Sequence, residues 1–149
     1  MVALNIDEDH KTAINIKKRG AFTLSIADLP HIKESDFFGI ATANKMPDKF
    51  ERSGMHAERS DKVDAPVITE YPVTLECRVA ELQQTSYGFR VLGEIVNVLA
   101  DESVLDEKEK IIPSRLNAFV FDQFQNGYYA IGDKAGQAWN SGADLMKQV

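Results

Sequence analysis

At 149 residues the chain is long enough to bury a core and reads most simply as one domain. Its 44% hydrophobic and 27% charged residues are ordinary for a globular protein, and a net charge of −6 argues against a nucleic-acid binder, which needs a concentrated basic surface. A single cysteine, Cys77, excludes an internal disulfide, no apolar run reaches the roughly 18 residues of a membrane span, and no basic-then-apolar leader opens the chain, so a cytoplasmic protein without membrane contact is expected.

Val2–Ile6 is strand-like and is followed by a polar turn, Asp7-Glu8-Asp9. A helical pattern then runs from Thr12 to Arg19, with Gly20 where a left-handed C-terminal cap belongs. Residues 21–26 alternate Phe22, Leu24 and Ile26 against Ala21, Thr23 and Ser25, which predicts a strand with one apolar face. Asp28 is placed to cap a second helix with Pro30 in its first turn, and Ile32, Phe37, Phe38, Ile40 and Ala41 give that helix a broad apolar side. Residues 44–54 predict a turn and a short helix carrying Phe50, ended at Ser53-Gly54.

The centre carries the clearest strand pattern. Val73, Leu75, Cys77 and Val79 share one face, and Thr74, Glu76 and Arg78 share the other. Tyr87–Leu99 is a second long strand, apolar on both faces and therefore expected to be more deeply buried, with the hairpin turn at residues 83–86. Residues 101–110 read as a solvated loop. Phe119–Asp122 leads to an Asn126-Gly127 turn followed by Tyr128 and Tyr129, and the polar last twenty residues contain Trp139, which either closes the core or lies on a dimer surface. Hairpin-linked strands with short helices between them predict a small antiparallel barrel of the α+β class.

No metal-ligand spacing links His10, His31 and His56, and no nucleophile elbow, Walker loop or dinucleotide glycine fingerprint is present. Cys77, mid-strand on an apolar face, is expected to be a buried structural thiol.

Phe119-Val120-Phe121-Asp122 with Asn126-Gly127-Tyr128-Tyr129-Ala130-Ile131-Gly132, preceded by Asp48-Lys49-Phe50, Asp64-Ala65-Pro66 and Gly93-Glu94-Ile95, carries a family signal through its order. This series resembles the flavin reductase-like, flavoredoxin-type FMN-binding split barrels. The resemblance implies a Greek-key split barrel and an FMN cofactor. It further implies hydride transfer from NAD(P)H through the flavin to a flavin or another acceptor, in a homodimer whose interface holds the site. It makes residues 1–149 a single flavin reductase-like domain that is N-terminally short, since members carry strands before the segment that opens this chain. The alternative is a non-enzymatic split-barrel interaction module that has lost FMN.

The same resemblance places residues 5–15 at the phosphate end of the flavin. Thr12, at a helix start, offers a hydroxyl and first-turn N–H groups that suit an anion, with Lys11 or His10 supplying charge. Otherwise Thr12 is an ordinary helix cap beside solvated neighbours. Asn5 stands where many relatives carry arginine, and the carboxylates of Asp7, Glu8 and Asp9 oppose phosphate unless they point away. Ser25 is carried over as a ribityl or ring-edge contact, and Tyr128 as an aromatic near the flavin or the dimer contact. Lys49 either steers a nicotinamide phosphate or is solvated. The cofactor-binding candidates are thus Asn5, His10, Lys11, Thr12, Ser25 and Tyr128. No catalytic acid or base is assigned, because hydride transfer to a flavin depends on stacking geometry.

Overall fold

A computed structural model describes residues 1–147; the last two residues of the expected 1–149 domain lie outside the described residues. Four strands form the main antiparallel sheet in the order β1-β6-β5-β2: β1 (Val2–Ile6), β2 (Ala21–Ser25), β5 (Val73–Thr85) and β6 (Gly88–Ala100). Two small hairpin sheets accompany it. One pairs β3 (Ala57–Arg59) with β4 (Pro66–Ile68), the other β7 (Phe119–Asp122) with β8 (Gly127–Ala130). Three helices, α1 (Lys11–Arg19), α2 (Ile32–Ile40) and α3 (Lys49–Ser53), are inserted between strands. The α+β split-barrel expectation is met by this architecture.

α1 forms where Ala13 and Ile16 can both face the sheet, and they are buried against Phe22, Cys77, Phe89 and Val91. Gly20 ends it at φ 64, a conformation that costs other residues a steric penalty, and its N–H bonds back to the carbonyl of Ile16. Gly93 lies under the Phe22 ring, where a Cβ would collide with it. That contact gives a physical reason for the glycine of Gly93-Glu94-Ile95.

The second sheet face is covered too, which corrects the one-sided reading of β2. Ala21 packs with Val63, Ala65 and Val96 beneath the loop joining β3 and β4. A register shift puts Cys77 opposite Ile95 after Glu76 opposite Asn97, leaving Val96 as the extra residue of a bulge.

The hairpin turn also differs from expectation. β5 continues through Gln83, Gln84 and Thr85, and the two-residue turn is Ser86-Tyr87, because Thr85 pairs with Gly88. Polar residues there form ladder bonds while both faces meet solvent, so polarity misplaced the turn. At the far end, Val98 and Leu99 are exposed, and β6 is therefore buried along only part of its length. Gly88, at φ 140, passes so close beneath the end of β1 that a Cβ would run into the backbone of Ile6, Asp7 and Glu8. Trp139, 99% exposed, does not close the core.

Candidate functional site

A cavity of about 210 Å³ opens at the start of α1. His10, Lys11 and Thr12 line one side, and Phe38 to Ala43 at the end of α2 line another, with Lys49 of α3 completing the wall. His10 holds the N-cap position in extended backbone without a side-chain cap bond, which corrects the reading of Thr12 as the cap. The carbonyl of His10 accepts from the N–H of Ala13 at 3.0 Å and of Ile14 at 3.4 Å. The N–H groups of Lys11 and Thr12 precede the first intrahelical bond and have no acceptor within the helix. They lie at the positive end of the helix dipole, where an anion is favoured.

Lys49 is not a solvated lysine. Its ammonium donates to the carbonyls of Phe38 at 2.7 Å and Ala41 at 2.6 Å, where α2 leaves its last carbonyls unpaired. Phe50 stacks on Phe38 with ring centroids 6.1 Å apart, which fixes α3 and with it the lysine. Burial pushes the Lys49 pKa below the ordinary lysine value.

Asp7, Glu8 and Asp9 are absent from the cavity lining. Asp7 and Asp9 instead gather beside the His10 ring, at 3.9 and 4.0 Å, and the three exposed side chains place their ligand atoms within 4.8 Å of one another. The side-chain amide of Asn44 donates to the Asp9 carbonyl and ties this turn to the segment after α2.

The structure therefore brings His10, Lys11 and Thr12 to one cavity with Lys49, and leaves the other candidates outside it. Asn5 is exposed on β1 opposite Arg90. Ser25 pairs with Thr74 across β2 and β5, hydroxyl to hydroxyl at 2.8 Å. Tyr128 packs edge-on against Phe119 at 5.0 Å and donates to the Asp36 carboxylate at 2.8 Å, a bond that raises the pKa of its phenol.

Two polar clusters escaped the sequence reading. Glu76, 1% exposed, accepts from the Ser60 hydroxyl and from the side-chain amide of Asn97. Ser60 in turn accepts from the backbone N–H groups of Lys62 and Val63, so the carboxylate anchors the loop between β3 and β4. At the entry to α2, Asp28 bonds the His31 ring at 2.7 Å rather than a backbone N–H, and Ser35 pairs with the Tyr71 hydroxyl. Burial is the first cause of the raised Tyr71 pKa. A glutamate on an alternating strand gives little warning of burial, because its partners lie 16 and 21 residues away.

The flavin reductase like domain, as a family model, matches residues 1–127. The chain belongs to this family. It is similar to flavoredoxin of Desulfovibrio vulgaris (Miyazaki F) at 28% identity and a TM-score of 0.86, over 94% of this chain and 74% of that one. Flavoredoxin from Methanosarcina acetivorans shares the fold at a TM-score of 0.89 and 24% identity, over 97% and 75% of the two chains. A protein with a split barrel domain from Shewanella frigidimarina does so at 0.71 and 23%, over 85% and 63%. No curated protein sequence matches the chain.

Family membership makes a flavin-linked redox function the coarse conclusion. The residues present fit the phosphate end of a flavin: a hydroxyl, two N–H groups unpaired among the described residues and cationic side chains border one small cavity. At about 210 Å³ it is below the usual range for a whole ligand of this size, so the ring of this flavin reductase-like protein's cofactor would lie beyond it. Among the described residues, no helix is long and apolar enough to cross a membrane.

Proposed function

We propose that this chain binds FMN and uses it to pass electrons from NAD(P)H to a free flavin or another acceptor. The observation that carries the reading is the convergence of Lys11, Thr12 and Lys49 on the cavity at the start of α1. Thr12 and the N–H groups beside it donate to phosphate oxygens, while Lys11 and Lys49 supply opposite charge. Lys49 is already oriented by two carbonyls and keeps one N–H for the ligand. When bound, FMN supplies a ring that accepts a hydride and releases electrons.

Because the cavity is too small to take the ring as well, Asn5, Ser25 and Tyr128 enter the proposal as contacts beyond the phosphate, assembled in a homodimer. The exposure of Val120, Phe121, Phe124, Tyr129, Ile131 and Trp139 supports association. The test is an FMN titration followed by visible absorption, with NADPH added anaerobically at the end. Perturbed flavin bands near stoichiometric binding, bleached by NADPH, are expected. Sedimentation showing a stable monomer would remove the interface contacts.

A second reading, a split-barrel interaction module without FMN, draws on the small volume of the cavity and on the outer edge of β1, which is unpaired among the described residues. A spectrum identical to that of free FMN, from protein shown to be folded, would select it.

A further inference from the structure

A second recess lies along the same helix. It is an open groove of about 540 Å³ lined by Asn15 and Arg19 of α1, by Ala57, Glu58 and Arg59 of β3, and by Asp64 to Pro66. Thr12, Asn15 and Arg19 are spaced i, i+3, i+7 and so follow one side of α1, leading from the cavity to the groove. Seven residues of helix put their ends about 10 Å apart.

The two arginines of the groove are not equivalent. Arg19 bonds Asp64 at 2.6 Å, which fixes its guanidinium and neutralises the aspartate. Arg59 lines the groove and makes no side-chain hydrogen bond or ion pair among the described residues, which leaves its five donors unengaged. All three residues of β3, Ala57, Glu58 and Arg59, line the groove, so the arginine has one carboxylate of its own strand on the same wall. Ala57, Ala65 and Pro66 add an apolar floor. Small apolar side chains beside an unpaired planar cation suit a purine nucleotide carrying a phosphate monoester.

We propose that this groove binds the adenosine end of NADPH and that Arg59 reads the 2′-phosphate. The inference rests on taking the start of α1 as the flavin phosphate site. One dinucleotide can then reach from the groove toward the flavin, with Asn15 available to a ribose or pyrophosphate oxygen. The unmodified ribose of NADH offers Arg59 no dianion, so discrimination falls on this residue. Glu58 on the rim is the group that would favour NADH instead.

The test uses the intact protein and two probes that need no redox chemistry. Calorimetry with 2′,5′-ADP and with 5′-AMP should show tighter binding of 2′,5′-ADP, an advantage that Arg59→Gln reduces about tenfold and Arg59→Lys partly restores. With flavin bound, the ratio of KM for NADH to KM for NADPH should fall by a similar factor in Arg59→Gln. Equal binding of the two probes, a preference of the native protein for NADH, or a ratio unmoved by Arg59→Gln would overturn the proposal. If Arg59→Gln abolishes the probe preference but neither dinucleotide reduces flavin, the groove stands and the reductase function falls. If both dinucleotides reduce flavin and Arg59→Gln leaves their ratio alone, the function stands and the groove falls.

Discussion

The cavity at the start of α1 and the cluster around Glu76 are both polar, and they treat their polar groups in opposite ways. Around Glu76 the donors and acceptors are matched inside the protein, and no buried side-chain nitrogen or oxygen among the described residues lacks a partner. At the cavity, Thr12, Lys11 and two backbone N–H groups are left without internal acceptors among the described residues. A satisfied buried network specifies the fold, whereas donors left unmatched at a cavity wall are available to a ligand. The contrast separates what holds the protein together from what it can hold.

Substitutions on the two sides should therefore separate stability from affinity. The largest effect is expected from Glu76→Ala, which strands the Ser60 hydroxyl and the Asn97 amide. About 3 kcal/mol of stability, or roughly 6–12 °C in Tm, should be lost in a thermal melt. An unchanged Tm would show that the cluster contributes nothing. Next comes Lys49→Met, expected to weaken FMN binding about 30-fold in a fluorescence titration, since charge-assisted bonds to phosphate are the strong ones.

The pH dependence sharpens the same point. Burial lowers the Lys49 pKa, so its cation, and with it FMN affinity, should be lost as pH rises at lower pH than for an exposed lysine. Stability runs the other way. A lysine whose folded pKa is depressed destabilises the fold while both states keep the proton, and this penalty is relieved as pH rises through the folded value. Lys49→Arg should move the affinity loss to higher pH, and affinity measured against pH for both proteins decides it. Thr12→Val should cost about fivefold in FMN affinity with little change in Tm, the scale of one hydrogen bond. The smallest effect is that of Trp139→Ala, expected to change stability by under about 0.5 kcal/mol in a monomer. A larger loss coupled to a change in sedimentation would place Trp139 in an interface.

Local pattern revealed the elements and long-range contact decided the site. Period-two alternation marked Val73–Val79, and Gly20 marked the end of α1, because both depend on neighbours in sequence. Cys77 was legible as a buried thiol for the same reason, and burial raises its pKa. The position of Lys49 was not legible, since it depends on Phe50 meeting Phe38 and on the end of α2 lying above it. Ser25 read as an outward residue or a flavin contact, yet its hydroxyl is engaged by Thr74, 49 residues away. The turn at Ser86-Tyr87 was masked because the polar residues before it belong to a ribbon wetted on both sides, where composition no longer distinguishes strand from loop.

Gly88 links these regions mechanically. The hairpin slides under the backbone of Ile6, Asp7 and Glu8 only because that position has no side chain. Any larger residue there must lift the turn that leads directly into His10, Lys11 and Thr12. A methyl group added on the hairpin would thus act as a wedge beneath the mouth of the cavity, with no contact to anything bound inside it. Ribbon and helix start behave as one lever whose fulcrum is a single hydrogen atom.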